Sequence, residues 1–325
     1  MNMLTPEETR EHSIFTLLGK ERAGTMRWLM LAVLAAIAWI GGVAFLAPYR
    51  PTEISRFVAT LVPLDVAFWG SMAAAAVIAL AALAARRIAL AWVAATVAGY
   101  LIGFYFSGFL FRYFPPGVEI PLTGVDGAFA FAMSRLWFAA PTAIVLLIVW
   151  LLFAPSLGQG HPAFGFGNWL VRTRDMSAKE APGSWLGKLF GGYLLFIAIL
   201  FALIQLPIGF APVVSGSLWP LLPAVFVAAL ANAAAEEVVY RGFIQPAFIR
   251  YGGAVAGLWM QGLFFGIIHW GLSVGVLAAL PVSLMIGVGS VVWGKAAYET
   301  RGLGWTIVAH FLVDVAIMAA YFVPR

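Results

Sequence analysis

The sequence contains no cysteine. Disulfide bonds, thiolate nucleophiles and cysteine-ligated metal sites are therefore excluded, and the redox environment of the protein stays open. Charge is also scarce, because only 10% of the 325 residues are charged, whereas a soluble domain has about 25%. Hydrophobic residues make up 63%, which leaves too few polar side chains to cover a water-soluble core. These figures exclude a cytosolic globular enzyme and a disordered chain, and they predict an integral membrane protein.

Stretches of about 20 apolar residues, the length that crosses a bilayer, recur along the chain. The longest polar interruption, at 155–188, is rich in glycine and basic residues. We therefore expect a four-span region at 26–154, a polar loop at 155–188 and a five-span region at 189–325. The fold class is an all-α, polytopic membrane bundle of about nine transmembrane helices, at 28–48, 66–85, 88–111, 136–154, 189–211, 218–240, 254–270, 273–293 and 305–322.

Residues 1–25 are polar and lack the pattern of a cleavable signal peptide. The run Thr5-Pro6-Glu7-Glu8 is typical of a helix start, so a short interfacial helix is one interpretation and a frayed polar tail is the other. Nine spans with the N-terminus inside leave 14 basic residues on the cytoplasmic side and five outside. Because cytoplasmic loops carry the excess of lysine and arginine, we expect a cytoplasmic N-terminus and an external C-terminus. The net charge of +5 thus reflects topology rather than binding to nucleic acid.

Ionisable side chains inside the apolar windows are few. Carboxylates and imidazoles are costly within a bilayer and seldom lie there without a task or a partner. The other acidic residues and histidines lie in tails, loops or span edges. All of the embedded groups belong to the last five windows: Glu236, Glu237, His269, His310 and Asp314.

Helical spacing predicts how the first of these groups are oriented. Glu237 and Arg241 are four residues apart, so they share a face and are within reach of an ion pair. Glu236 is rotated from Glu237 by about 100°. One carboxylate is therefore neutralised by Arg241, while that of Glu236 is left to face a cavity.

The next embedded groups come from two further helices. Gln261, Phe265 and His269 are spaced by four residues and share one face, and so do His310 and Asp314. Three helices can thus bring two imidazoles, three carboxylates and an arginine to one pocket.

The order and spacing of these residues resemble a known family. Glu-Glu-x-x-x-Arg at 236–241, Phe-x-x-x-His at 265–269 and His-x-x-x-Asp at 310–314 are similar to the motifs of the CPBP intramembrane proteases. This family includes the CAAX prenyl endopeptidases and bacterial proteins related to bacteriocin self-immunity. The resemblance covers about 189–325 and leaves the four-span region unexplained.

The resemblance implies a peptidase in which a glutamate, rather than a metal or another cofactor, activates water. The implied partners are the lipid bilayer and a membrane-associated peptide or protein, lipidated or carrying a C-terminal signal, and the implied location is the bacterial inner membrane. The implied site residues are the general base Glu236, the water-holding His269, the oxyanion-stabilising His310 and Asp314, and the supporting pair Glu237 and Arg241.

The last position departs from the family pattern, because CAAX-type members have asparagine where this chain has Asp314. An ionised aspartate has no proton to donate to an oxyanion. Either Asp314 is protonated, or it accepts a hydrogen bond from His310 and holds that ring as a cationic donor. We favour the second interpretation.

The predicted topology conflicts with the predicted site at one point. Glu236 lies toward the cytoplasmic end of its window and His269 toward the outer end of the next one. We give the motifs more weight than the boundaries, because span ends are the least reliable part of such a prediction.

Four alternatives stay open on the sequence alone. Two histidines and the carboxylates could ligate zinc, although the helical His-Glu-x-x-His pattern is absent. Glu237 and Arg241 could be a purely structural ion pair. A non-catalytic scaffold or immunity protein could keep the fold, but it has no physical reason to keep all of the embedded groups. A proton-coupled transporter is disfavoured because no chain of polar groups crosses the membrane.

Overall fold

The structure is a computed structural model, and it describes residues 22–46, 59, 62–113, 123–155, 164–175, 179–205, 216–269 and 276–323. Nearly all of the predicted N-terminal segment 1–25, including its interfacial helix, lies outside the described residues.

Helices make up most of the described chain, and two short strands form a hairpin. The elements are α1 (Arg22–Leu46), α2 (Leu64–Ala84), α3 (Ile88–Tyr113), α4 (Gly124–Phe153), β1 (Arg172–Arg174), β2 (Glu180–Ser184), α5 (Trp185–Lys188), a π turn (Leu189–Tyr193), α6 (Leu194–Gln205), a 3₁₀ turn (Trp219–Leu221), α7 (Leu222–Glu237), a second π turn (Val238–Ile244), α8 (Gln245–Ile268), α9 (Val276–Thr300) and α10 (Gly304–Tyr321).

The helical membrane bundle predicted from composition is confirmed. Within the described residues, seven stretches are long and apolar enough to cross a bilayer. One of them, Trp219–Ile268, has 50 residues, far more than the roughly 20 that one crossing needs. The count of nine crossings stays a prediction.

This long stretch folds back on itself at Gly253, whose φ of 82° and ψ of 169° are not helical. The turn is tight, because a Cβ atom on Gly257 would lie 2.5 Å from the backbone nitrogen of Ile249. Glu236 comes 17 residues before the turn and His269 comes 16 residues after it. At about 1.5 Å of helical rise per residue, the two arms are equally long, so both side chains return to the same level.

The predicted window 218–240 ends too early. The helix continues through the π turn at Val238–Ile244 and into α8, so Glu236 lies in the middle of a long helical arm instead of near its end. Polar residues such as Arg241 and Gln245 lowered the apolar signal in the sequence. Both side chains are buried against the protein, where neighbouring helices supply hydrogen-bond partners. This correction removes the conflict between topology and site.

The four-span region and the five-span region share one hydrophobic core, which contains Leu31, Trp92, Phe264 and Trp305. The hydroxyls of Tyr100 in α3 and Tyr240 in the second π turn are hydrogen-bonded at 2.8 Å. The N-terminal helices therefore pack directly on the segment that carries the two adjacent glutamates.

The polar loop at 155–188 contains a small antiparallel hairpin, in which Arg172 pairs with Ser184 and Arg174 with Glu180. The indole nitrogen of Trp185 donates to Glu299 of α9 at 2.8 Å. The sequence does not predict these strands, because segments of three and five residues are too short to show the alternation of apolar and polar residues that is typical of a strand. The hairpin attaches the loop to the end of α9.

Candidate active site

Three structural elements bring the embedded groups together. Glu236 and Glu237 end α7 and lead directly into the second π turn. π turns are rare and often occur at functional sites, because they change the direction of side chains within a helix. His269 caps the C-terminus of α8, and α10 contributes the last two groups, His310 and Asp314.

The ion pair predicted between Glu237 and Arg241 is formed. Nη1 of Arg241 lies 2.9 Å from Oε1 of Glu237, and both side chains are fully buried. Nη2 of Arg241 donates to Oγ of Ser290 at 2.7 Å, and the guanidinium lies 4.4 Å from the ring centroid of Phe265. Both groups are therefore held rigidly behind the site and out of reach of solvent.

His310 is held from two sides. Its Nδ1 donates to Oε1 of Glu237 at 2.9 Å, and its ring stacks on Trp293 with centroids 4.5 Å apart and an interplanar angle of 29°. Its Nε2 consequently faces the other two carboxylates, 3.8 Å from Oε2 of Glu236 and 3.6 Å from Oδ2 of Asp314. The two adjacent glutamates therefore lie at opposite nitrogens of the His310 ring, Glu237 at Nδ1 and Glu236 at Nε2.

His269 also faces the carboxylate of Glu236. Its Nδ1 lies 2.6 Å from the backbone oxygen of Phe265, and because a carbonyl only accepts, Nδ1 carries the proton. Nε2 is left to face Oε2 of Glu236 at 3.8 Å. The ring of Phe265 packs against His269 with centroids 4.5 Å apart, so this motif residue contributes to the site by packing.

Glu236 is the accessible member of the glutamate pair. Its side chain is 15% exposed, whereas that of Glu237 is fully buried. Among the described residues, Oε2 of Glu236 has no hydrogen-bond partner. This oxygen therefore lies between two imidazole nitrogens, desolvated and still free to accept a proton.

Asp314 is oriented differently from the sequence expectation. Its Oδ2 lies 3.6 Å from Nε2 of His310, which is an ion-pair distance but too long for a hydrogen bond. Oδ2 instead accepts a hydrogen bond from Nδ2 of Asn232 at 2.9 Å. The carboxylate that hydrogen-bonds His310 is that of Glu237, because α7 approaches the ring more closely than the next turn of α10 does.

Three residues that contact the site were missed by the sequence analysis: Asn232, Ser290 and Trp293. Asn232 had a usable signal, because it is an amide inside an apolar helix and lies four residues before Glu236, on the same face. Ser290 and Trp293 had none, since a serine and a tryptophan are ordinary in a membrane helix.

The metal-dependent alternative can be compared with the geometry. Within the part of the chain that the structure describes, no group of three or more histidine and carboxylate side chains is arranged to hold a metal ion. Zinc would require ligand atoms at about 2.0–2.2 Å from one point; the Nε2 atoms of His269 and His310 each lie 3.8 Å from Oε2 of Glu236.

One stretch of the chain matches a known family. Residues 218–316 match the model of the family described as Type II CAAX prenyl endopeptidase Rce1-like. Residues 218–316 are thus similar to the family that the three motifs resemble. The matched segment contains all seven residues of the three motifs, begins one residue before the 3₁₀ turn that precedes α7 and ends within α10. No significant match was found among curated proteins or among solved structures.

The matched residues 218–316 lie within the region at 189–325 that the resemblance suggested. They leave out 189–217 and all of α1 to α4. This match and the apolar helices together support an integral membrane protein.

Proposed function

We propose that this protein is a glutamic-type intramembrane endopeptidase that hydrolyses peptide bonds of membrane-associated substrates, including lipidated ones or those with a C-terminal signal. One observation carries the proposal: Oε2 of Glu236 lies 3.8 Å from Nε2 of both His269 and His310. A structural ion pair would close these gaps, whereas a general base needs room for the water it activates.

Glu236 acts as the general base. A water molecule about 2.8 Å from a carboxylate oxygen and from an imidazole nitrogen fits across a 3.8 Å gap. Nε2 of His269 accepts the second hydrogen bond of this water, because its Nδ1 proton is committed to the backbone oxygen of Phe265. The carboxylate takes the proton as the water attacks the scissile carbonyl.

His310 stabilises the oxyanion. Glu237 holds the ring through Nδ1, and the nearby carboxylates of Glu236 and Asp314 favour the imidazolium, which donates through Nε2. Nδ2 of Asn232, already hydrogen-bonded to Asp314, has a second proton available as a further donor. Such donors are most effective when they are preorganised and shielded from bulk water, and the side chains of both His310 and Asn232 are buried.

Terminal proteomics of cells that produce the wild type or Glu236→Gln tests this function. The substitution keeps the volume of the side chain but removes the base. We expect unprocessed termini of membrane-associated proteins to accumulate in the Glu236→Gln cells, and Glu180→Gln cells to match the wild type. Glu180 is a suitable control because its side chain is 63% exposed in the hairpin. Identical termini in all three strains would favour a non-catalytic scaffold.

A chelator distinguishes the metal-dependent form of the same reaction. Purified enzyme in lipid vesicles should cleave the peptide that the proteomic comparison identifies equally well with and without excess EDTA. Loss of cleavage that is restored by zinc would contradict glutamate catalysis without an ion.

The location we propose is the bacterial inner membrane, with a cytoplasmic N-terminus. Because the chain has no cysteine, single cysteines report topology without background. A membrane-impermeant maleimide should label Thr123→Cys, in the loop before α4, in intact spheroplasts, but label Glu180→Cys only after lysis. The reverse pattern would invert the orientation.

A further inference from the structure

Arg135 is a lone basic residue inside a membrane helix. The predicted window 136–154 left it just outside the span, but α4 begins at Gly124, so Arg135 lies 11 residues into the helix. Arginine is costly at this depth unless it faces protein or an anion. Neither the family domain at 218–316 nor the three motifs includes this residue.

The packing of α4 directs Arg135 toward the site. The backbone nitrogen of Gly124 donates to the oxygen of Phe322 at 2.8 Å, which joins the start of α4 to the end of α10. Ala128 and Ala132 of α4 are then buried in one cluster with residues of α7 and α10. Arg135 follows Ala132 by three residues and so shares this buried face.

Arg135 also lies at the same height along the bundle as the site residues of α10. Starting from the bond between Gly124 and Phe322, Arg135 is 11 residues along α4, and Phe311 is 11 residues back along α10. With a rise of about 1.5 Å per residue in both helices, Arg135 comes to the level of Phe311, next to His310 and within one turn of Asp314.

No carboxylate neutralises Arg135 individually. Among the residues that the structure describes, none has a carboxylate oxygen within 4.0 Å of the guanidinium, which lies over the ring of Phe131 at 4.7 Å. Its charge nevertheless acts electrostatically on Glu236, His269 and Asp314. Arg135 therefore acts on the cluster as a whole.

We propose that Arg135 is a positioning residue of the active site, contributed by the four-span region, whose positive charge keeps Glu236 ionised as the general base. The inference rests on the proposed function of Glu236. Three carboxylates meet at the site, and Arg241 and the His310 imidazolium supply two positive charges, so a third cation balances the cluster and keeps the base charged in a desolvated setting. The four-span region then completes the Rce1-like domain instead of merely anchoring it.

The pH dependence of the site involves groups from every element packed around it. These are Glu236, Glu237, Tyr240 and Arg241 from α7 and its π turn, His269 from α8, His310 and Asp314 from α10, Tyr100 from α3 and Tyr193 from the first π turn.

The first test is the pH–rate profile of Arg135→Gln in lipid vesicles, with the peptide identified by the comparison of wild type and Glu236→Gln. Removal of a cation makes a carboxylate harder to ionise, so we expect the acid-side midpoint to rise by about one pH unit, with the rate largely recovered at higher pH. Arg135→Lys should retain the shape of the profile. Arg87→Gln, at the exposed turn between α2 and α3, is the matched control. A uniformly lowered profile of unchanged shape would overturn the proposal.

The second test does not depend on cleavage. The midpoint of thermal unfolding in detergent is measured for Arg135→Gln, Asp314→Asn and the double variant. If the charge of Arg135 balances the acidic cluster, Arg135→Gln should lower the unfolding midpoint less in the Asp314→Asn background than in the wild type. Strict additivity would overturn the placement of Arg135. Absence of cleavage by the wild type would instead overturn the proposed function and leave this cycle interpretable.

Discussion

Oε1 of Glu237 lies 2.9 Å from Nδ1 of His310 and also 2.9 Å from Nη1 of Arg241. The residue next to the proposed base therefore has two duties: it orients the imidazole that faces the base, and it neutralises a buried guanidinium. These two duties can be separated by mutation.

Glu237→Gln should destabilise the protein strongly. The substitution leaves Arg241 fully buried without a counter-charge, and breaking a buried pair in this way costs about 3–5 kcal/mol. Chemical unfolding in detergent micelles measures the loss, and cleavage of the identified substrate should fall with it.

The double variant Glu237→Met and Arg241→Met is the control for this interpretation. Replacement of a buried ion pair by apolar side chains of similar volume is often close to neutral, so most of the stability should return. Activity should not, because His310 then lacks the carboxylate that orients it. A double variant that cleaves normally would refute the orienting role of Glu237.

Asp314→Asn should change the pH profile of cleavage more than its maximum rate. The Asp314 carboxylate lies 3.6 Å from Nε2 of His310 and favours the imidazolium. Without that anion the ring loses its proton at lower pH, so the alkaline limb should move down by about one pH unit. Asp65→Asn, an exposed acid in the first turn of α2, should leave the limb in place. An unchanged limb in Asp314→Asn would contradict a cationic His310.

Gly266→Ala should damage the site through packing. A Cβ atom at Gly266 would lie 2.3 Å from the backbone oxygen of Ser283, so α8 and α9 must separate, at a cost of about 1–3 kcal/mol. Because His269 follows three residues later, we expect the cleavage rate of the folded protein to fall as well as its stability.

Gly289→Ala on α9 is the matched control for this steric effect. Nothing lies within 4 Å of its added Cβ atom, and alanine is the better helix former by about 1 kcal/mol. Thermal unfolding should show Gly289→Ala at or above the wild type. Equal losses in the two variants would argue against close packing as the cause.

Tyr100→Phe tests the link between α3 and the second π turn. It removes a 2.8 Å hydrogen bond and leaves the buried hydroxyl of Tyr240 unpaired, which costs about 1–3 kcal/mol. Tyr105→Phe, at a tyrosine that is 38% exposed on the same helix, should be neutral. The double variant Tyr100→Phe and Tyr240→Phe should be more stable than Tyr100→Phe alone, as differential scanning fluorimetry can check.

The membrane class, and which motif residues lie close together, could be predicted from the sequence because each depends on local information. Lack of charge indicates a bilayer, and a spacing of four residues places Glu237 and Arg241 on one face. The partner of His310 could not be predicted in this way. The choice between Glu237 and Asp314 depends on how closely two helices approach, and no single-helix pattern contains that distance.

The predicted span boundaries are wrong where polar residues are buried inside the protein. Arg241 and Arg135 lowered the apolar signal, so one helix was ended too early and the other was started too late. Hydropathy treats every polar residue as facing lipid or water, whereas Arg241 faces Ser290 and Glu237. The same error hid Arg135 from the list of candidate residues.

The fold-back at Gly253 leaves two helical arms of nearly equal length, one between Gly253 and Glu236 and the other between Gly253 and His269. One residue inserted between Gly253 and His269 would advance the imidazole by about 1.5 Å and swing it by about 100°, away from Glu236. Added residues in the hairpin at β1 and β2 would leave both arms untouched. An insertion within either arm therefore displaces Glu236 or His269 from the other, whereas an insertion in the hairpin does not.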